Sequence, residues 1–269
     1  MEPIAISNPF PGAGAFRVRE TTSTMDEARR LARLGFYPGT AVVADLQTAG
    51  RGRLADRRWE SPAEENLLAT LALGPEAARI PGFTLRIGLA LCRSAAIFAI
   101  RLGGGLVEPP ELKWPNDVLI GGKKLAGILC EAAPEATYVG FGVNLNQRLF
   151  PAGLEGKATS VSLAMGPKAP VLDRFAFLEL VLAEIHFVLG EEDWRAEAET
   201  RLWRRGDRVD FLVGLPEKKE IAEGYLEGIA PTGALLIRVS GEIAPRAFQA
   251  GELLIPEPRV DRNGSHHIR

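Results

Sequence analysis

Cysteine is scarce in this chain: only Cys92 and Cys130 occur, each among apolar neighbours. Neither a disulfide framework nor a zinc site is expected, and the two read as reduced core residues of a cytoplasmic protein. Net charge is nearly absent as well, with 32 Lys and Arg against 34 Asp and Glu. Bulk electrostatics therefore favour neither nucleic acid nor an anionic membrane. No apolar run reaches the roughly 18 residues that a bilayer span needs. The longest apolar region, Ile87 to Ile100, is interrupted by Arg93 and reads as a buried helix. Met1-Glu2-Pro3-Ile4 lacks the basic start and apolar run of a signal peptide. No internal repeat is visible.

The 269 residues are 46% hydrophobic and 25% charged, an ordinary globular balance with enough length for a real core. Residues 1–14 read as an extended lead-in and Ala15–Glu20 as a strand. Thr24-Met25-Asp26-Glu27 fits a capping box, opening a helix that runs to Leu34 and stops at Gly35. Strands are expected at Thr40–Leu46 and Asn66–Leu73, and a helix at Thr84–Leu102. Four more strands follow: Glu111–Trp114, Val118–Ile120, Lys124–Ala132 and Thr137–Asn144. A loop to about Pro170 precedes helices at Val171–Leu189 and Trp194–Arg204. After Gly206 come short strands at Val209–Val213, Ile221–Ile229, Ala234–Val239, Ile243–Phe248 and Leu253–Ile255, as in a small barrel. These place a large domain at 1–205, a small one at 206–256 and a polar tail at 257–269.

The densest local signal is Gly50-Arg51-Gly52-Arg53-Leu54-Ala55-Asp56-Arg57-Arg58-Trp59. Glycine lets backbone approach a ligand, and arginine offers a planar fork of donors for phosphate or carboxylate. This is a loop suited to wrapping an anionic small molecule. Thr22-Ser23-Thr24-Met25 puts hydroxyls at a helix N-terminus, for capping or for a polar ligand. In Lys113-Trp114-Pro115-Asn116-Asp117, proline forces a break in the sheet where side chains meet a ligand, or else an edge turn. Gly121-Gly122-Lys123-Lys124-Leu125-Ala126-Gly127 is a hairpin whose lysine can neutralise phosphate or simply be solvated. Gly140-Phe141-Gly142-Val143-Asn144 alternates glycine with bulk, leaving either a trough for a flat ring or tight helix packing.

In this order the segments resemble the biotin protein ligases. That family reads a Ser-Thr helix start, Gln-x-x-Gly-Arg-Gly-Arg with a closing arginine and tryptophan, Lys-Trp-Pro-Asn-Asp, Lys-Leu-Ala-Gly-Ile-Leu and Gly-x-Gly-x-Asn. The match runs from about residue 16 to 256 and is least specific in the terminal barrel. The resemblance implies an α+β fold: a mixed β-sheet with helices on one face, class II synthetase-like, then a small SH3-like β-barrel. It implies formation of biotinyl-adenylate from biotin and ATP with Mg²⁺, then transfer to a lysine of a biotin carboxyl carrier protein domain. It also implies biotin contacts from Ser23, Thr24, Met25 (through its backbone N–H), Gln47, Gly50, Arg51, Gly52, Arg53, Lys124, Gly127 and Gly142. Nucleotide contacts fall to Arg51, Arg53, Trp59, Asn116, Lys124 and Asn144. Arg53 and Lys124 are the expected catalytic cations, and Asp117 orients or deprotonates the incoming amine. Metal ligands are not identified. A homodimer is possible in this family; nucleic acid and membrane are not expected partners.

Three departures from the family pattern matter. Met25 stands where asparagine is common. Leu54-Ala55-Asp56 separate Arg53 from Arg57 where two residues are usual, so the closing half of the loop is expected to bulge. The stretch before Ser23 is too short for the winged helix of repressor forms, so operator binding is not expected. Competing readings are a lipoate or octanoate ligase, a non-catalytic biotin-binding module, and an RNA-binding arginine-glycine loop.

Overall fold

The computed structural model describes residues 1–54, 57–214 and 220–254. The chain divides into two compact units, Met1–Trp203 and Arg204–Arg269. In the first unit β1 (Glu2–Pro3), β2 (Ala15–Thr21), α1 (Thr24–Arg33), β3 (Thr40–Gln47) and β4 (Leu67–Leu73) are followed by α2 (Phe83–Arg101). Next come β5 (Glu111–Lys113), β6 (Asp117–Ile120), β7 (Lys123–Ala132) and β8 (Thr137–Val143). The unit closes with α3 (Val161–Met165), α4 (Arg174–Gly190) and α5 (Trp194–Thr200). Its eight strands form one mixed sheet in the order β1-β2-β3-β4-β8-β7-β6-β5.

Only β2 and β3 run parallel, with Thr21 paired to Gln47. A parallel pair needs a crossover, and α1 supplies it. Every other neighbouring pair is antiparallel. The two faces of the sheet are distinguished by β7 and β8, where Leu129 pairs with Gly140 and Ile128 with Phe141. Adjacent pairs point to opposite faces. Ile128 faces Gly88 of α2, whereas Gly140 faces Met25 of α1. The long helices α2 and α4, which pack on each other, hold the first face. The short α1 lies on the second face with Met25, Ala28 and Leu31 against Val42, Ala72 and Tyr138. α2 is long and apolar enough to cross a membrane, but 72% of that stretch is buried as a core helix.

Several element ends differ from expectation for identifiable reasons. The capping box does not form: Ser23, not Thr24, is the N-cap of α1, its Oγ accepting from Met25 N–H. Glu27 instead accepts from Thr21 Oγ1 at 3.2 Å. α4 starts at Arg174 because Asp173 Oδ1 caps Phe175 and Ala176 N–H. α5 ends at Thr200 because the following residues extend to pair with β5: Leu112 N–H donates to Arg201 O, and Trp203 N–H to Leu112 O. The expected loop to Pro170 contains α3, capped by Ser160. A 3-10 turn at Pro75–Arg79 was also not expected from the sequence.

Asp45, at the end of β3, is 5% exposed and joins three segments of the first unit. Its carboxylate accepts from Arg17 Nε at 2.8 Å and Arg174 Nη2 at 2.9 Å. Burial pushes this carboxyl up, but the two arginine hydrogen bonds outweigh burial and hold it below the ordinary aspartate value.

The second unit holds β9 (Arg208–Val213), β10 (Ile221–Ile229), β11 (Leu235–Val239), β12 (Arg246–Phe248) and β13 (Gly251–Leu253). They form an antiparallel sheet in the order β12-β11-β10-β9-β13. Phe211 and Phe248 pack at its centre with ring centroids 4.8 Å apart. Ile243, expected to begin a strand, is 98% exposed, and β12 starts at Arg246. Ile255 and the expected tail at 257–269 lie outside the described residues.

Candidate active site

The floor of the site is backbone. Gly127 on β7 pairs directly with Gly142 on β8, and both share the face occupied by α1. The glycine alternation leaves a trough there, and the flat ring lying in it is the chain's own Trp59. A Cβ on Gly142 would stand 2.7 Å from Trp59 Cζ2 and Nε1, so no side chain fits at this position. A Cβ on Gly127 would stand 3.1 Å from Trp59 Cζ3 and 3.2 Å from Lys124 Nζ.

Lys124 and Asp117 meet beside the trough. The β5–β6 hairpin turns through Trp114-Pro115-Asn116, with Lys113 paired to Asp117. The segment at the proline is therefore the tight turn of the alternative reading, flanked by Lys113 and Asp117, with Trp114 buried. A register shift between Val118 and Leu119 separates the Asp117–Gly127 pair from the Leu119–Lys124 pair. The result sets Lys124 Nζ 2.7 Å from Asp117 Oδ1. The same ammonium lies 5.7 Å from the centre of the Trp59 ring.

The arginine loop is a hairpin. Arg51 bridges to Arg58, Gly52 N–H donates to Arg57 O, and Trp59 N–H donates to Gly50 O. Its two arms are thus in register, and Arg57 N–H closes on Leu54 O. Ala55 and Asp56, part of the expected bulge, lie outside the described residues. Arg51 forms a two-pronged pair with Asp26 of α1, at 2.8 and 3.2 Å, and this hydrogen bonding raises its guanidinium pKa. Arg53 is exposed.

At the other end of the trough, hydrogen bonds fix the polar groups. Thr24 N–H and Oγ1 both donate to Gln47 Oε1, at 2.8 and 3.0 Å. Thr24 Oγ1 lies 2.8 Å from Thr70 Oγ1. Because Thr24 donates to Gln47, Thr70 is the donor in that second bond. The backbone donor fixes the Gln47 amide orientation, so Nε2 carries two N–H groups available to a ligand. The Thr24 hydroxyl is committed within the protein. Met25 N–H donates to Ser23 Oγ at 3.3 Å, so it too is not spare for a ligand. That bond uses Ser23 Oγ as an acceptor and leaves its O–H as a second donor at this end of the trough. The Met25 side chain is buried against the Gly140 face.

Residues 15–147 match the biotin/lipoate A/B protein ligase family. A biotin–[acetyl-CoA-carboxylase] ligase of Paracoccus denitrificans is 33% identical over 235 residues, covering 81% of this chain and 91% of that protein. The chain belongs to the biotin protein ligase family. The bifunctional ligase/repressor BirA of Bacillus spizizenii is 38% identical over 170 residues, 60% of this chain but only 49% of that protein. The chain thus spans about half the length of that curated relative. The biotin protein ligase of Aquifex aeolicus in complex with biotin and ATP superposes with a TM-score of 0.75 at 28% identity. That superposition covers 89% of this chain and 97% of the Aquifex chain.

Two expected nucleotide contacts in this family member spend amide N–H groups within the chain. Asn116 Nδ2 donates to Ile128 O at 2.8 Å, extending the β6–β7 pairing through the turn. Asn144 is buried, and its Nδ2 donates to Thr159 O at 3.0 Å, tying the segment before α3 to the end of β8. Asn116 keeps its second amide N–H and Oδ1 for a ligand, whereas Asn144, whose Nδ2 also donates to Lys124 O at 3.4 Å, keeps Oδ1. Thr70, Asp26 and Asn66 were not singled out by sequence. Asn66 links Gln147 Oε1, Ser61 Oγ and Leu145 N–H, joining the exit of the arginine loop to the exit of β8. Its place just before an apolar strand is the one sequence signal it offers. Among the described residues no group of three His, Cys, Asp or Glu is placed to hold a metal ion.

Proposed function

We propose that this chain is a biotin–[acetyl-CoA-carboxylase] ligase. The observation that carries the reading is the glycine floor at Gly127 and Gly142, walled by Trp59, with polar donors at one end and Lys124 and the arginine loop beside it. The donors of Ser23 and Gln47 suit the carbonyl of biotin's ureido ring. A fused ring fits a floor that has no side chains. The carboxylate at the end of biotin's chain would then lie toward Lys124, Arg51 and Arg53.

The first step joins two anions. A biotin carboxylate oxygen attacks the α-phosphorus of ATP, a P–O bond forms, and the P–O bond to pyrophosphate breaks. Fixed positive charge is the main requirement, since both reactants repel each other. Lys124 and Arg53 supply it. The fit with Mg²⁺ is that of a cation carried on the polyphosphate, held by phosphate oxygens and water, and so part of the substrate. In the second step a carrier lysine amine attacks the acyl carbon, the C–O bond to AMP breaks, and the amine loses a proton. Asp117 is placed to take that proton directly or to orient the amine. In this reading residues 1–205 carry the chemistry and 206–256 form an accessory domain.

Pyrophosphate exchange into ATP tests the reading. It is expected only when biotin is present, with transfer of label to a lysine of a biotin carboxyl carrier domain. Absence of biotin-dependent exchange at saturating ATP and Mg²⁺ overturns it. Calorimetry with biotin and with lipoate separates this reading from a lipoate ligase. Light scattering tests the homodimer expected from the resemblance.

A further inference from the structure

The backbone pairing of β2 with β3 runs on past Gln47. Thr48 N–H donates to Thr21 O and Ala49 N–H to Thr22 O, at 2.9 and 3.0 Å. Two residues further on, at the start of the arginine hairpin, a side chain continues the attachment. Arg51 Nη1 and Nη2 donate to Asp26 Oδ2 and Oδ1 at 3.2 and 2.8 Å. Asp26 is the third residue of α1, in the turn that Ser23 caps and Thr24 opens. The turn that places polar donors at one end of the trough therefore also grips the arginine hairpin. We infer that Asp26 is a positioning residue: through Arg51 it seats the hairpin, and with it Trp59, against the glycine floor. The consequence for biotin rests on the ligase reading, whereas the anchoring does not.

Three observations carry the constraint from Asp26 to the floor. Asp26 is itself braced: Arg29, one turn on, donates to Asp26 Oδ1 at 3.4 Å and pairs with Glu131 of β7. Helix and sheet thus fix where the carboxylate stands. The hairpin arms are also cross-linked. Arg51 bridges to Arg58, Gly52 N–H donates to Arg57 O at 2.9 Å, and Trp59 N–H donates to Gly50 O at 3.1 Å. A Cβ on Gly52 would stand 2.9 Å from Arg57 Cβ, so the arms are pressed together. A constraint on Arg51 is therefore a constraint on the closing arm. At the end of that arm Trp59 packs on Gly142 and Gly127, with Lys124 Nζ 5.7 Å from its ring centre. A displacement of Arg51 reaches the wall of the trough.

Magnitude separates positioning from folding. The side chains of Arg51 and Asp26 are 39% and 42% exposed. A pair this exposed adds little to global stability and is screened by salt. What it can change is the fraction of time the hairpin is seated. Apparent biotin affinity falls in proportion to that fraction. Saturating biotin fills the seated state, so turnover is preserved. The signature of Asp26 is a change in KM without a change in kcat.

The experiment uses the full chain as Asp26→Ala, Asp26→Glu, Arg51→Met and the double variant Asp26→Ala/Arg51→Met. Without ligand, amide hydrogen exchange at Gly52 and Trp59 is expected to be about two- to fivefold faster in Asp26→Ala, the range an exposed pair can hold. The urea midpoint should stay close to wild type. In pyrophosphate exchange the KM for biotin is expected to rise about two- to fivefold at unchanged kcat. Asp26→Glu keeps the carboxylate and should restore both readouts. In the Arg51→Met background, Asp26→Ala should alter neither, because the partner is gone. Unchanged amide exchange in Asp26→Ala overturns the inference. So does a rise in KM that persists in the Arg51→Met background, since Asp26 would then act on the ring donors directly. Faster amide exchange at constant biotin KM overturns the positioning role. Absence of biotin-dependent pyrophosphate exchange in the wild type overturns the ligase reading, and amide exchange alone then upholds or overturns the anchor.

Discussion

Lys124 Nζ lies 2.7 Å from Asp117 Oδ1, so the two groups proposed for different steps of the reaction are partners in the site. Asp117 then holds the ammonium in place before the first step begins. Lys124→Ala is expected to reduce biotin-dependent pyrophosphate exchange by about 2 kcal/mol or more, the scale for losing a preorganised charge. Asp117→Asn should also slow this first step, although a base for the second step alone would leave it unchanged. The double variant should depart from additivity by about 0.5 kcal/mol or more. Additive losses in exchange kinetics would show that the pair is not coupled in catalysis.

Thr70 has no exposed surface and donates to Thr24, which donates in turn to Gln47. Thr70→Val keeps the shape and removes the donor. The expected result is a rise in KM for biotin worth about 1 kcal/mol, the scale of one buried hydrogen bond, with kcat unchanged. Thr70→Ser should restore the wild-type value. Steady-state kinetics over a biotin series provides the check.

Gly140 and Gly142 lie on the same strand face but should respond differently to one added methyl. At Gly140 the new Cβ meets the flexible end of Met25 at 3.0 Å, and that end can shift. At Gly142 it meets the indole and the ring floor. Gly142→Ala is expected to weaken biotin binding by about 1–3 kcal/mol, the usual range for overpacking, with Gly140→Ala affected less. Calorimetry on the two folded variants gives the comparison.

The Asp45 carboxyl is held below its ordinary value by Arg17 and Arg174. A depressed carboxylate contributes stability above its unfolded pKa, and that contribution is lost as pH falls through the lower folded value. Urea unfolding should therefore show this contribution falling away below about pH 4, the ordinary aspartate range. Asp45→Asn should flatten that decline and cost about 3–5 kcal/mol at neutral pH, because it leaves Arg174 buried without its counter-charge. An unchanged acid slope would contradict the assignment.

The fold and the trough were legible for a shared reason. Period-two glycines at Gly140 and Gly142, most of the β-rich runs, and Gly103 after an apolar helix are local signals that match the observed elements, whereas Ile243 lies outside β12. What failed was non-local. Thr24 looked like a cap because Glu27 follows three residues on, but Gln47 and Thr70, distant in sequence, claim its hydroxyl. The α5 end could not be foreseen because β5 draws Leu202 and Trp203 into extended pairing. Asn116 and Asn144 lie within the expected motifs, yet their donors serve turns that appear only once the strands are assembled. Trp59 was expected near a ligand. Its place in the trough depends on the register of the hairpin that carries it.

The β2–α1–β3 crossover brings Ser23 and Thr24 to the same end of the sheet as Gln47, through the pairing of Thr21 with Gln47. Under the proposed reading, the Ser23 and Gln47 donors that would meet the ring lie in one supersecondary piece, which ends before the arginine loop starts. The Arg51–Asp26 pair joins the loop to α1, so under the proposed reading a length change near Leu54 would reach the ring donors through that contact.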